Sequence, residues 1–268
     1  MRAVRSVIVA LACTIWAAPA LAAGCQTGSF EAWLETFKRE TAAKGGSPRG
    51  LAALDGVAYD ASVVSRDRRQ GVFRQSFEEF SGRMISPDRL RVGARKLKQH
   101  AATFGRIEQA YGVPGPVLVA IWGLETDFGV NQGNFSVIRA LASLGYDCRR
   151  SEKFQAELMD ALRIVERGDL SPHEMRGAWA GEIGQTQFLP SSYLKYALDF
   201  DGDGRRDLIR SVPDALASTA NYLRGYGWKR GQGWKPGAAN FDVLLQWNKS
   251  QVYSKTIAYF ATRLAGGE

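Results

Sequence analysis

Histidine and cysteine are scarce in this chain of 268 residues, and no apolar run is long enough to cross a membrane. The two histidines, His100 and His173, lie far apart in the sequence, which argues against a histidine-ligated catalytic metal. No glycine-rich loop of the phosphate-binding kind is present. The longest apolar run, Val7 to Ala18, is shorter than the ~20 residues that a spanning helix needs. These absences argue against a histidine-ligated catalytic metal, a glycine-rich phosphate site and a membrane-spanning helix.

The N-terminus has the order of a secretory signal peptide. Arg2 and Arg5 precede the apolar run, and small residues follow it up to position 23. We predict that residues 1–23 are removed and that the mature protein acts outside the cytoplasm. Removal takes away two arginines and no acids, so the formal charge falls from +8 to +6.

The basic balance of the mature chain favours an anionic partner. Peptidoglycan, which carries peptide carboxylates, and nucleic acid both satisfy this condition. The basic residues are scattered through the sequence, and no nucleic-acid binding motif is visible. We therefore expect no nucleic-acid partner.

Three cysteines are present, and Cys13 lies within the predicted signal peptide. The remaining pair, Cys25 and Cys148, predicts a disulfide, because an exported protein folds in an oxidising compartment. The alternative is that Ala22, Ala23, Gly24 and Cys25 form a lipid-attachment box, which would make Cys25 the acylated first residue of a lipoprotein.

Hydrophobic periodicity predicts a mainly α protein. Residues Phe30, Trp33, Leu34 and Phe37 recur at helical spacing before a Gly-Gly-Ser-Pro stop. Similar patterns predict helices at Phe30–Glu40, Pro87–Tyr111, Pro116–Thr126, Glu152–Arg167, Ser191–Leu198, Val212–Tyr226 and Ser250–Leu264. No repeat or long linker divides the chain, so residues 24–268 are expected to form a single catalytic domain.

A loop rich in Gly, Lys and Trp is predicted from Gly227 to Ala239. Its Trp228 and Trp234 are candidates for stacking on sugar rings. Packing of both indoles under the loop is the alternative.

The predicted helix from Pro116 contains one ionisable side chain. Leu118, Ile121, Trp122 and Glu125 fall at i, i+3, i+4 and i+7, so the carboxyl group projects from an apolar stripe. Desolvation disfavours the charged form, which predicts a raised pKa for Glu125 and the ability to protonate a glycosidic oxygen as a general acid. The alternative is a glutamate at a helix end that turns to solvent or caps the following turn.

Five short motifs follow one another from Glu125 onward. They are Glu125–Gly129, Gly181–Tyr193, Asp199–Gly204, Ala220–Tyr222 and Trp247–Ser250. In order and spacing they resemble the lytic murein transglycosylase B family, and the similarity extends back to Trp33 and covers nearly the whole mature chain.

The resemblance implies a lysozyme-like, mainly helical fold with a deep glycan-binding groove. It also implies cleavage of the bond between N-acetylmuramic acid and N-acetylglucosamine in peptidoglycan strands, leaving a 1,6-anhydro end. Glu125 would act first as acid and then as base, and no cofactor would take part in catalysis. The expected location is the periplasm, the expected state is a monomer, and cell-wall assembly proteins are further candidate partners.

Residue-by-residue matching with the family implies several substrate contacts. The amides of Gln187 and Asn248 match positions near the cleavage point, and Tyr222 and Tyr253 match aromatic positions of the groove. The basic pair of Arg149 and Arg150 matches a site for lactyl or peptide carboxylates. These candidate substrate-binding residues are Gln187, Asn248, Tyr222, Tyr253, Arg149 and Arg150.

The chain departs from the family pattern at three positions. Ala178 stands where related enzymes often carry a serine, and Trp247 replaces a tyrosine. Glu182 stands where a small residue is common, which brings an unexpected carboxyl group near the site. Glu182 could tune Glu125, act on water as a second catalyst, or pair with an arginine, and we predict the pairing.

Alternating aspartates followed by glycine, at Asp199, Asp201, Asp203 and Gly204, resemble the start of a calcium-binding loop. The usual glutamate at the twelfth place is absent. The family resemblance implies that Asp214 closes a longer loop and that the carbonyl of Arg205 is another ligand. Structural Ca²⁺ is therefore expected, with a capped Asp-Gly turn as the alternative.

Two other functions remain open on the sequence alone. One is a hydrolytic muramidase of the same fold, in which a second carboxyl group activates water. The other is a non-catalytic, calcium-stabilised protein that binds peptidoglycan.

Overall fold

The computed structural model describes residue 26, residues 28–70 and residues 75–267. The predicted signal peptide and Cys25 lie outside these described residues. The described part is mainly helical, as predicted. Its helices are α1 Phe30–Ala43, α2 Pro48–Ala52, α3 Ala61–Arg68, α4 Phe77–Met84, α5 Pro87–Gln99, α6 Ala101–Tyr111, α7 Gly115–Thr126, α8 Val137–Tyr146, α9 Ser151–Arg167, α10 Pro190–Tyr196, α11 Val212–Gly225, α12 Phe241–Trp247 and α13 Gln251–Leu264.

Serine begins many of these helices. An N-cap serine accepts a hydrogen bond from a backbone N–H of the first turn, which would otherwise lack a partner. Ser76 makes a complete capping box with Glu79 at the start of α4. The other N-cap serines are Ser29, Ser47, Ser86, Ser136, Ser211 and Ser250.

Helix α7 is the centre of the molecule. Only Pro116 and Glu125 in this helix are more than slightly exposed. Helices α5, α6, α11 and α13 pack around it. Gly123 permits this packing, because a Cβ there would lie 2.8 Å from the Phe128 ring and 3.1 Å from the Phe260 ring. Glu125 is therefore carried by a helix that is buried along almost its whole length.

A two-stranded antiparallel sheet lies beside α8. Strands β1 (Phe135–Ser136) and β2 (Arg176–Gly177) pair Phe135 with Gly177. The chain then turns back, since Ile183 makes bridges to both Gly177 and Phe188. Gly177 is required at this crossing, because a Cβ would lie 1.8 Å from the carbonyl oxygen of Glu182.

One local prediction is corrected, and for Trp228 the structure shows the second of the two alternatives, packing under the loop. The predicted helix from Pro87 to Tyr111 is two helices, because His100 leaves the helical conformation at φ −111° and ψ 24°. The loop residue Trp228 is buried and its indole N–H donates to the Gly112 carbonyl. It therefore supports the loop and is not available to stack on a sugar.

Cys148 is disulfide-bonded, and its predicted partner Cys25 lies outside the described residues. The neighbouring Gln26 donates from its backbone to the Tyr146 carbonyl at 3.1 Å and from its side chain to Asp147. This places the chain next to Cys25 close to Cys148 and supports the predicted pair. No helix in the described ranges combines the length and the apolar character that crossing a bilayer requires.

Candidate active site

Glu125 lies in the last turn of α7 and is held by two side chains from the C-terminal part of the chain. Its Oε1 accepts hydrogen bonds from the indole Nε1 of Trp247 at 2.9 Å and from the phenol of Tyr253 at 2.8 Å. The carboxyl group is half-buried, and Oε2 has no hydrogen-bond partner among the described residues. One oxygen is therefore fixed while the other remains available to a ligand.

Burial raises the pKa of Glu125 from 4.5 to about 7. The hydrogen bonds from Trp247 and Tyr253 stabilise the charged form and limit this rise, whereas the nearby charge of Glu182 adds to it. The carboxyl group therefore keeps its proton up to near-neutral pH, as a general acid requires.

The end of α7 is tied to the segment that follows the sheet. Thr126 donates from its hydroxyl to the Gln185 carbonyl at 2.6 Å and accepts from the Gly129 N–H at 2.9 Å. Asp127 adopts the left-handed conformation at φ 50° and pairs with Arg89, whose Nε lies 2.8 Å from its carboxylate. These contacts fix Glu125 relative to residues 181–188.

An open cavity of about 450 Å³ lies in front of Glu125. We call it the Glu125 cavity. Its walls come from α9, α10, α11, the 178–189 segment and the turn after α12. The lining residues are Gln70, Glu125, Lys153, Ala178, Trp179, Glu182, Gln187, Phe188, Leu189, Ser192, Tyr222, Trp247, Asn248 and Lys249.

The structure brings the two predicted amides into this cavity. Gln187, at φ 57°, donates from its side chain to the carbonyls of Gln132 and Gly184 at 3.2 and 2.9 Å. Asn248 accepts the Ser250 N–H through Oδ1 at 2.9 Å. Gln187 therefore offers its amide oxygen to a ligand, and Asn248 offers its amide N–H groups.

The two predicted tyrosines have different positions. Tyr222 lines the Glu125 cavity, and its phenol donates to the Gln246 carbonyl at 2.8 Å. Tyr253 is not among the lining residues and contacts Glu125 directly. Burial, together with the charge and hydrogen bond of Glu125, raises the pKa of Tyr253 well above its ordinary value, so its phenol remains a donor to the acid.

Arg149 and Arg150 do not line the cavity. Both pair with Asp67, which is 1% exposed, and the Arg149 contact is 2.7 Å long. Burial opposes ionisation of Asp67, but the hydrogen bonds from the two arginines outweigh it and hold the pKa of this carboxyl below its usual value. The role of Arg149 and Arg150 in binding substrate carboxylates remains a prediction. In the structure both guanidinium groups bind the Asp67 carboxylate. The exposed cations that line the cavity are Lys153 and Lys249.

The prediction that Glu182 pairs with an arginine is wrong. In the described ranges no arginine lies within ion-pair distance of it, because Arg150, a nearby cation, is held by Asp67. Its Oε2 is buried and lacks a hydrogen-bond partner. Burial raises the pKa of Glu182, while backbone N–H groups and the charges of Lys153 and Arg150 limit the rise.

Three of the predicted calcium ligands come together at the surface. Single carboxylate oxygens of Asp199, Asp201 and Asp203 all lie within 4.8 Å of one another. Asp214 does not join this group. Its two oxygens accept the backbone N–H groups of Phe200, Asp201 and Asp207, so it organises the loop from inside.

Sequence reasoning did not single out the contact between Trp247 and the acid. Trp247 was noted only as a replacement for tyrosine, although its position beside Asn248 places it in a matched motif. Lys153, Trp179 and Ser192 also line the cavity. Lys153 and Trp179 carry no sequence signal, and Ser192 lies in the matched motif Gly181–Tyr193 without an assigned role, since only the fold brings α9, α10 and the segment after β2 to one surface.

The chain is similar in sequence and in fold to known proteins. Membrane-bound lytic murein transglycosylase B of Escherichia coli (strain K12) is 37% identical over 179 residues, covering 66% of this chain and 48% of that protein. The chain therefore spans about half the length of that relative. SltB3 of Pseudomonas aeruginosa, solved in complex with NAG-anhNAM-pentapeptide, has a TM-score of 0.84 and 34% identity, covering 90% of this chain and 80% of that one. Escherichia coli Slt35 in complex with calcium has a TM-score of 0.77 and 26% identity, covering 87% of this chain and 92% of that one.

The architecture is thus the lysozyme-like fold of lytic transglycosylases. Residues 29–239 match the family described as Transglycosylase SLT domain, and the chain belongs to that family.

Proposed function

We propose that the protein is a lytic murein transglycosylase that cleaves peptidoglycan between N-acetylmuramic acid and N-acetylglucosamine, with Glu125 as its catalytic acid and base. The observation that carries this proposal is the carboxyl group of Glu125, which faces a cavity with one oxygen held by Trp247 and Tyr253 and has a pKa raised by burial to about 7. The fragments named in the SltB3 complexes, which contain NAG and NAM sugars, support a glycan as the ligand of the cavity.

The reaction needs a proton donor and then a proton acceptor at the same point. Glu125 protonates the oxygen of the departing N-acetylglucosamine as the bond to C1 of muramic acid breaks. The N-acetyl oxygen of the substrate stabilises C1, as in other substrate-assisted glycosidases. The C6 hydroxyl then attacks C1 and gives its proton to Glu125, which restores the acid and leaves a 1,6-anhydro end. No water is consumed.

The polar side chains of the cavity fit this path. The Gln187 amide oxygen accepts, and the Asn248 amide donates, so the pair can orient hydroxyl and acetamido groups on either side of the bond. Lys153 and Lys249 provide positive charge for the carboxylates of lactyl groups or stem peptides. The location that suits this substrate is the periplasm, reached through the signal peptide at residues 1–23.

We also propose a structural Ca²⁺ bound by the carboxylates of Asp199, Asp201 and Asp203 and the carbonyl of Arg205. Three oxygen donors that lie close together at an exposed turn suit a hard cation. Asp214 supports the loop by accepting backbone N–H groups. The ion would rigidify this loop, which lies outside the residues that line the Glu125 cavity.

A hydrolytic muramidase is the second candidate function, and Glu182 is the observation that favours it. This carboxyl group lines the same cavity as Glu125 and has an unpartnered oxygen. As a base it could activate water and produce a reducing end. We favour the transglycosylase, because Glu125 supplies both proton transfers of that reaction and no second carboxyl group is needed.

The first test compares release of soluble muropeptides from purified peptidoglycan by the unaltered chain and by Glu125→Gln. Loss of a general acid costs ~10²–10⁴-fold in rate, so Glu125→Gln should release almost nothing. Glu108→Gln, at an exposed position on α6, is the matched control and should be fully active. Equal release by Glu125→Gln and Glu108→Gln would refute the assignment, and no release by the unaltered chain would favour a binding protein.

A further inference from the structure

A row of aromatic rings leads out of the Glu125 cavity. Trp247 and Tyr222, which line the cavity, lie 5.0 Å apart between ring centroids. Tyr222 contacts Tyr226 at 4.6 Å and Tyr196 at 5.0 Å, and Tyr196 contacts Tyr226 at 5.9 Å. We call these four residues the aromatic ladder.

The ladder ends at the surface on Tyr226. Tyr222 and Tyr196 are buried, whereas Tyr226 is 42% exposed. In the described part of the chain, only Val130 is a more exposed large apolar residue. The rings of Tyr222 and Tyr196 are enclosed in the core. The exposed face of the Tyr226 ring does not contribute to this packing and remains open to solvent.

Helices α10 and α11 connect the wall of the Glu125 cavity to this exposed ring. Tyr226 is the C-cap residue of α11 and follows Tyr222 by four residues, and its N–H donates to the Tyr222 carbonyl at 3.1 Å. Lys195 and Tyr196 follow the cavity residue Ser192 by three and four residues along α10. Residues at these spacings lie on one helix face about one turn, ~5.4 Å, apart. Both helices therefore extend the cavity wall outward by one turn.

A cation lies beside the outer end of the ladder. The Lys195 Nζ is 5.0 Å from the Tyr196 ring centroid and 5.8 Å from that of Tyr226. Lys195 is exposed, and no acidic side chain in the described ranges forms an ion pair with it. An aromatic face next to an ammonium group suits a ligand that has both an apolar face and a carboxylate.

We propose that Tyr226 and Lys195, supported by the buried ring of Tyr196, form an outer binding site for an acidic amino sugar of the same glycan strand, beyond the sugars held in the Glu125 cavity. This inference rests on the proposed function, because it takes the strand in the cavity to be peptidoglycan. The sugar ring packs on the exposed face of Tyr226, and its lactyl or peptide carboxylate binds Lys195. The outer site strengthens binding of strands long enough to reach it.

The test measures binding of two peptidoglycan fragments to the full chain carrying Glu125→Gln, which binds without turnover. The short fragment is a tetrasaccharide, and the long fragment is an octasaccharide, chosen to extend beyond the Glu125 cavity. Addition of Tyr226→Ala should weaken octasaccharide binding by up to about tenfold, the change that corresponds to ~1.4 kcal/mol, and leave tetrasaccharide binding unchanged. Tyr226→Phe keeps the ring and should bind both fragments normally. Lys195→Gln should weaken octasaccharide binding at low salt, and the difference in affinity caused by this substitution should disappear at high salt.

Unchanged tetrasaccharide binding shows that each variant is folded. Octasaccharide binding by Tyr226→Ala that equals that of Tyr226→Phe would overturn the outer site and leave the proposed function intact. Failure of the Glu125→Gln chain to bind either fragment, together with failure of the unaltered chain to cleave peptidoglycan, would remove the proposed function and the outer site with it.

Discussion

Replacing Glu125 with glutamine should stabilise the protein, and the gain should grow as the pH rises. The folded-state pKa of Glu125 lies at about 7, compared with 4.5 for an unperturbed carboxyl group. At 1.36 kcal/mol per pKa unit, this shift corresponds to a cost of about 3 kcal/mol for ionising the buried group. The folded state binds the proton more tightly, so the contribution of Glu125 to the free energy of unfolding is full below pH 4.5. It is lost as the pH rises through about 7. Glutamine keeps the shape and carries no charge.

The assay is urea denaturation of the unaltered chain and Glu125→Gln between pH 4 and pH 8. The difference in the free energy of unfolding between the two proteins should change by about 3 kcal/mol across this range, in favour of glutamine at the alkaline end. Other titrating groups cancel in the comparison. Glu108→Gln should show no pH-dependent difference from the unaltered chain. A constant difference for Glu125→Gln would mean that the carboxyl group is solvated in the folded protein and has no raised pKa.

Four further predictions follow from the contacts described above. Trp247→Phe removes a hydrogen bond that favours the charged form of Glu125, so the alkaline limb of the pH-rate profile should move to higher pH while the maximum rate falls. An unmoved limb would show that the indole does not tune the acid. Asp67→Asn leaves two arginines without their partner and should reduce the free energy of unfolding by about 2 kcal/mol, less than for a fully buried pair; an unchanged denaturation midpoint would contradict this. Ca²⁺ should raise the Tm of the unaltered chain but not of Asp201→Asn, with peptidoglycan cleavage unaffected, and equal shifts would argue against the acidic loop as the site. Mass spectrometry of the mature protein should find a disulfide between Cys25 and Cys148, whereas a lipid on Cys25 would establish the lipoprotein.

The helical framework was predictable because its signals are local. Proline and serine at helix starts and apolar residues at helical spacing predicted α1, α7, α9, α11 and α13. Among the described residues, five helices were not predicted, namely α2, α3, α4, α8 and α12. The break at His100 was also missed, because the apolar pattern of α5 and α6 runs through it and the change of direction depends on tertiary packing.

The site was predictable only in part, because Glu125 has a local sequence signal whereas its partners are distant in the sequence. Glu125 stands out because a lone carboxyl group on an apolar helix is detectable from sequence. Its raised pKa follows from that position. Its two donors, Trp247 and Tyr253, come from residues more than a hundred positions away. The environment of Glu182 likewise depends on a distant residue, because Asp67 binds Arg150, whose charge acts on Glu182.

The most direct test of the central claim is cleavage of purified peptidoglycan in heavy-oxygen water, followed by mass spectrometry of the new muramic acid ends. Catalysis by Glu125 without a water nucleophile predicts ends that contain no heavy oxygen and are lighter by one water than hydrolysis products. These ends should be absent with Glu125→Gln. Heavy oxygen in the new ends would contradict the account and identify a hydrolase, with Glu182 as the first residue to test as its base.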